Sequence, residues 1–347
     1  MNGDHAARRG RRRVVAEPAA APGEVASYYG RPVIKTPVWE WKVAAYLFTG
    51  GLAAGTAVMG AGADLSGAAR LRRACWLGSF GALLASLVLL VADLGRPERF
   101  HHMLRVAKPT SPMSVGTWIL TAFGPGVGAA AVWELLPARW RSSWPGRLLR
   151  AVSRGVGLAS AATAPGVATY TAALLTQTAV PGWQEVRGEL PFVFAGSAAA
   201  SGGGFGMVAA PLAEAGPARV FAAIGATGEL VASRVMEQRM GLVREVYHEG
   251  AAGRRRRGAE LLTLAGLAGT VLVGGRSRAG AAASGIALLT GSALQRFGVF
   301  EAGVASTKDP RYTVLPQRER LDAAGRDRSA VSVGSAGSGS GTAAGPR

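Results

Sequence analysis

The chain has 347 residues, of which 49% are hydrophobic, with 50 glycines and a single cysteine. One cysteine excludes an internal disulfide and an iron–sulfur cluster held by this chain alone. The formal charge of +18 invites a nucleic-acid reading, but the arginines sit mostly in loops and tails around apolar stretches, where they set membrane orientation, so no nucleic-acid partner is expected.

The order of the stretches predicts an all-α integral membrane protein with about eight transmembrane helices. Residues 1–38 read as an N-terminal tail and interfacial segment. Arg8, Arg9 and Arg11 to Arg13 look like a secretory n-region, but Val14-Val15-Ala16-Glu17-Pro18 is no apolar core, so no cleaved signal is expected. The membrane domain covers 39–300. With roughly 20 apolar residues per span, its segments are 43–63, 74–92, 113–136, 155–176, 190–212, 218–235, 260–274 and 279–297. The last two are short and Gly-rich and are also compatible with one broken hairpin. Gly50, Gly51 and Gly55 in the first span, and Gly202 to Gly204 in the fifth, suit close helix packing. Residues 301–347 read as a C-terminal tail, largely disordered.

Between the second and third spans stands Asp93-Leu94-Gly95-Arg96-Pro97-Glu98-Arg99-Phe100. A charge at the bilayer centre costs roughly 2.5–3.5 kcal/mol on insertion scales, so this cluster belongs at the interface or in a polar cavity. An even number of spans puts both termini on one side. That side collects Lys35, Arg96, Arg99, Arg105, Lys108 and the run Arg254 to Arg257, read here as a basic loop. The balance favours termini in the cytoplasm of a cell-membrane protein. His5, His101, His102 and His248 all lie outside the spans, so no pair of helices offers axial ligands to a membrane haem. No metal site is expected, and Cys75 reads as a small apolar residue.

Several runs occur in a fixed order. Tyr28-Tyr29-Gly30-Arg31-Pro32 precedes Trp39-Glu40-Trp41, and Tyr46-Leu47-Phe48-Thr49-Gly50-Gly51 opens the first span. After the Asp93–Phe100 run come Lys108-Pro109-Thr110-Ser111-Pro112-Met113-Ser114 and Val115-Gly116-Thr117-Trp118. Last come Tyr170-Thr171 and Thr176-Gln177-Thr178-Ala179-Val180-Pro181-Gly182-Trp183. This series, over roughly 28–205, resembles the NrfD family, the polysulfide reductase membrane subunits. The resemblance implies two four-helix bundles and a membrane subunit with no cofactor of its own. It also implies a quinone, of the menaquinone type, as diffusible substrate near one face. The partners it implies are a ferredoxin-like iron–sulfur subunit and a molybdopterin catalytic subunit. Where members of the family often read Tyr-Thr-Gly, this chain has Tyr170-Thr171-Ala172.

Topology places the start of span one, the end of span two, the start of span three and the end of span four on the same side. Trp39, Trp41, Asp93, Arg96, Ser114 and Tyr170 are therefore expected around one cavity. Tyr170 is the candidate donor to a quinone oxygen, its ring supplying apolar contact; the resemblance points to the same position. Asp93 is a candidate proton relay, or half of an Asp–Arg pair with Arg96 or Arg99. Arg96 and Arg99 are also candidates for docking an acidic partner, and Trp39 and Trp41 for interfacial anchors. Glu229, an acid within span six, is a candidate proton carrier or a partner of Arg234. Asp64 and Glu134 are expected only to meet the opposite interface. The reading is thus a membrane anchor that exchanges electrons between the quinone pool and an iron–sulfur partner. An ion or solute transporter, or a proton-translocating subunit, is the competing class, although paired broken helices are not evident in the two halves.

Overall fold

A computed structural model describes residues 32–105, 107–318 and 321, and among them the secondary structure is helical, without strands. Eight of its helices have 20 residues or more. They are α1 (Trp41–Leu65), α2 (Ala69–Asp93), α3 (Pro112–Leu135), α4 (Trp144–Thr176), α5 (Leu190–Ala209), α6 (Gly216–Arg239), α7 (Gly250–Leu272) and α8 (Arg278–Ser306). Each overlaps one span expected from hydropathy. α1 to α5 are long and apolar enough to cross a membrane by length and composition. The expected tails fall largely on 1–31 and 322–347, outside the described residues.

Local chemistry starts the helices where the sequence supplies caps. Ser111, Ser143 and Ser277 accept hydrogen bonds from the N–H groups of Ser114, Gly146 and Gly280. Proline follows at the first turn of α3 and α4, where no intrahelical donor is missed. Gly250, at φ +57°, sits in the left-handed region that favours glycine and turns the chain from the short helix Arg244–His248 into α7.

The side chains are arranged as in membrane proteins. Large apolar residues such as Val88, Phe192, Ile224, Leu261 and Val271 face outward, whereas the interior is largely alanine, glycine and serine. α1 packs on α2, α4, α5 and α8, and α5 packs on α6 and α8. A close approach joins α1 to α5: a Cβ on Gly55 would stand 1.9 Å from the Ala198 carbonyl oxygen, and one on Gly202 would stand 2.3 Å from the Gly55 carbonyl carbon. Only residues without side chains permit this contact.

Three expectations need correction. Arg254 to Arg257 do not form a loop; they occupy the first turns of α7. Arginine is a good helix former, and here Arg255 pairs with Glu301, and Arg256 with Glu237 and, at 3.5 Å, with Glu260. α8 does not stop at Phe297 but continues to Ser306, and the closing segments form two separate long helices. Asp64 and Glu134 do not merely meet an interface. They are 4% and 1% exposed and bind Arg72, Arg150 and Arg154, with Arg72 Nε 2.6 Å from Glu134 Oε1 and Arg154 Nε 3.0 Å from Asp64 Oδ2. Pairing offsets the cost of burying those carboxylates.

Candidate functional site

At the end of the molecule where α1 and α3 begin and α2 and α4 finish lies a cavity of about 360 Å³. Trp39, Tyr46, Asp93, Met103, Met113 and Tyr170 line it, with Gly116, Thr117 and Leu120 on the α3 wall. The size suits a cyclic head group, and apolar walls with a few convergent polar groups are the usual character of ligand pockets.

Each wall has a local cause. Tyr170 projects from α4 onto α3 at Gly116, where a Cβ would stand 2.4 Å from its Cε2 atom. Tyr46 is buried on α1. Lys42, one turn before it, bridges toward the end of α2: its Nζ donates to the Ala92 carbonyl at 3.5 Å and pairs with Glu40 at 3.2 Å. The charges that act on Asp93 are those of Lys42 and Glu40 on the α1 side, and among the described residues no ion pair joins Asp93 to Arg96 or Arg99 as expected. The reason is geometric: Pro97–Leu104 forms an exposed 3-10 segment that carries Arg99 away from the helix end.

Trp39 is held by the aromatic residue at the end of the fourth-span motif. It stacks on Trp183 with ring centroids 5.5 Å apart, and Trp183 in turn lies 5.9 Å from Phe300 on α8. The Trp183 indole donates to the Val299 carbonyl at 2.9 Å. Gly182 beside it is fixed from both sides: its N–H donates to Ser306 Oγ at 2.9 Å, and its carbonyl accepts from the Tyr247 hydroxyl at 2.7 Å. Burial pushes the Tyr247 phenol well above its ordinary range, which keeps it a donor. The motif residues from Val180 to Trp183 therefore tie the α4–α5 connection to α8 and set Trp39 at the cavity mouth.

Of the residues expected together, Trp39, Asp93 and Tyr170 meet in this cavity; Trp41, Arg96 and Ser114 do not line it. Trp41 is largely exposed and lines a separate recess of about 670 Å³ with Arg255, Glu301 and Lys308. Trp39, two residues before Trp41 and outside α1, borders both spaces, whereas Trp41 borders the recess without lining the cavity. Ser114 is buried on another face of α3, where its Oγ accepts from the Lys108 N–H at 2.9 Å. It borders an outward groove of about 630 Å³ with Trp118 and Ile119. Arg96 is exposed. Tyr46, Gly116 and Lys42 are the additions that sequence reasoning missed as site residues, although the first two stand within the quoted motifs.

Glu229 is far from this cavity in kind, enclosed within the helices of the second half and 3% exposed. Its neighbours are the Arg296 guanidinium and the Ser197 hydroxyl. Arg234, expected as its partner, instead reaches Glu260 at 3.5 Å. Among the described residues no group of three or more His, Cys, Asp and Glu is placed to hold a metal ion.

Comparison with known proteins identifies the family of the chain. The family model described as "Polysulphide reductase, NrfD" matches residues 32–218, which contain every residue lining the cavity. No curated protein matches the chain.

Proposed function

Because the chain belongs to the NrfD polysulphide reductase family and is a multi-pass membrane protein, we propose that it is the quinone-reactive subunit of a membrane oxidoreductase complex. In this reading all eight long helices cross the bilayer as two four-helix bundles, α1–α4 and α5–α8, and the chain resides in the cell membrane with both termini in the cytoplasm. Electrons pass between the quinone pool and a ferredoxin-like iron–sulfur subunit, which connects to a molybdopterin catalytic subunit.

The observation that carries the reading is the convergence of Tyr170, Asp93 and Trp39 on one apolar cavity of about 360 Å³ at a helix-bundle end. The residues fit a quinone head group. Trp39, Met103 and Met113 supply apolar and aromatic surface, and the Tyr170 hydroxyl can donate to a carbonyl oxygen. Bound there, a quinone supplies the two-electron couple that the chain's own side chains lack. Tyr170 orients the ring, Asp93 holds or releases a proton at the cavity end, and Lys42 compensates the Asp93 charge when that proton leaves. Arg96 and Arg99, exposed on the same end, are placed for an acidic partner surface.

The test is mass spectrometry of what co-purifies with the full-length chain in mild detergent, together with lipid extraction. The reading expects a Cys-rich iron–sulfur protein, a molybdopterin enzyme and a quinone. Recovery of the chain with none of these would overturn it.

A further inference from the structure

The second half of the molecule contains a buried polar site that the quinone cavity does not use. Arg296 of α8 is 1% exposed, its Cζ 3.6 Å from the centroid of the Phe194 ring, and its Nη2 donates to the Phe194 carbonyl at 2.8 Å. Among the described residues, its Nε and Nη1 atoms and Oε2 of Glu229 are buried without a hydrogen-bond partner. Orphaned polar atoms on two ionisable residues are costly in a closed interior.

A small recess adjoins the pair on one side. A recess of about 20 Å³, room for about one water, is lined by Glu229, Glu237, Glu260, Arg234, Arg256 and Gln295. Side-chain exposure falls stepwise along it, from 72% at Arg234 and 30% at Glu260 to 13% at Arg256 and 10% at Glu237. Glu229 lies ten residues from the end of α6 at Arg239, about 15 Å of helix. That end is the one that also carries the aromatic cavity. Toward the other end the sequence has no ionisable residue in 198–209 of α5, 261–272 of α7 or 279–294 of α8, and Arg219 alone in 216–228 of α6. Backbones close there as well: a Cβ on Gly203 would lie 2.5 Å from Ala222 N, and one on Gly225 would lie 2.3 Å from Ala200 N.

We propose that Glu229 is a proton-holding site open to one face of the membrane only, with Arg296 as the fixed cation that balances its ionised form. The reaction is reversible protonation of the carboxylate, with no redox change. A proton is favoured over a metal cation because Arg234, Arg256 and Arg296 match Glu229, Glu237 and Glu260 in number, which leaves no net negative charge to hold one. α1 contributes the uncharged Gly51 against Arg296, and α5 contributes Ser197. The proposal stands independently of the quinone reading.

The test uses the full-length chain in phosphatidylcholine vesicles, with infrared detection of the protonated carboxyl stretch after a pH jump in the outer solution. Orientation is sorted by labelling Phe100→Cys with an impermeant maleimide, the native Cys75 being buried. The expected result is a band that titrates when the Phe100 face is acidified, is absent in Glu229→Gln, and persists at all pH values in Arg296→Met. Glu260→Gln, at the exposed mouth, is expected to slow its appearance severalfold. A spectrum unchanged by Glu229→Gln, a response to acid on the opposite face, or an unaltered rate in Glu260→Gln would each overturn the proposal.

Discussion

Gly116 and Tyr170 are fitted to each other: the missing side chain on α3 is the space that the phenol ring of α4 occupies, and a Cβ there would lie 2.4 and 2.5 Å from two ring carbons. Gly116→Ala must therefore move the ring out of the cavity wall, whereas Tyr170→Phe keeps the ring and removes one hydroxyl. One neutral hydrogen bond contributes about 1 kcal/mol, so Tyr170→Phe should lower quinone-dependent kcat/KM about fivefold. Gly116→Ala should lower it further, and both should insert normally. Quinone titration of the purified complex reads both effects, and unchanged kinetics in Tyr170→Phe would remove the hydroxyl from the site.

Asp93→Asn preserves size and polarity but abolishes proton exchange. In the proposed mechanism it lowers turnover by roughly 100-fold, the lower end of general acid–base contributions, and flattens the acid limb of the pH–rate profile. Complex yield should be unchanged, because the ion pair of Lys42 with Glu40 beside it does not depend on Asp93. Wild-type turnover across the pH range would leave Asp93 as a plain helix terminus.

Gly55→Ala forces a methyl against the Ala198 carbonyl, which cannot yield as a flexible side chain does. Overpacking of this kind costs about 1–3 kcal/mol or more, and a lowered thermal transition in detergent should report it. Gly81→Ala, where no atom lies within 4 Å of the added carbon, is the matched control and should melt like the wild type.

Beyond α8, Asp309 accepts from the Arg311 N–H at 2.9 Å and pairs with its guanidinium at 2.8 Å. These bonds, the backbone one first, hold its carboxyl below the ordinary 3.8. A depressed carboxylate contributes stability that is present above 3.8 and lost as pH falls through the lower folded value. Acidification through that window should loosen the start of the segment at Arg311. Asp309→Asn should remove the pH dependence, as hydrogen exchange at residues 311–314 can show.

Hydropathy located α1 to α5, because a stretch of some 20 apolar residues is a strong signal, and its weaker segments overlap the less apolar α6 to α8. It misplaced the ends of α7 and α8, because charge in a helix is discounted when its partner lies elsewhere in the chain. Arg254 to Arg257 looked like a loop until Glu237, Glu260 and Glu301 came to them from other turns and helices. Arg296 stands one residue before Phe297, the expected end of the last span. Only the continuation of α8 to Ser306 puts it in the core. Of the cavity, Trp39, Asp93 and Tyr170 were legible from topology. The separation of Trp41 and Ser114 from them depends on helix rotation, which span counting does not register.

The ionic cluster opposite the cavity has a mechanical meaning. Asp64 belongs to α1, Arg72 to α2, Glu134 to α3, and Arg150 and Arg154 to α4, so one knot of charges clasps all four helices at that end. At the other end the same helices meet around a space lined mostly by apolar side chains, which slide past one another more freely than paired charges do. Such a frame is pinned by charge at one end and joined by apolar contact at the other. In the proposed function, a head group bound beside Tyr170 occupies the apolar end, while the ion pairs at the other end hold the four helices in register.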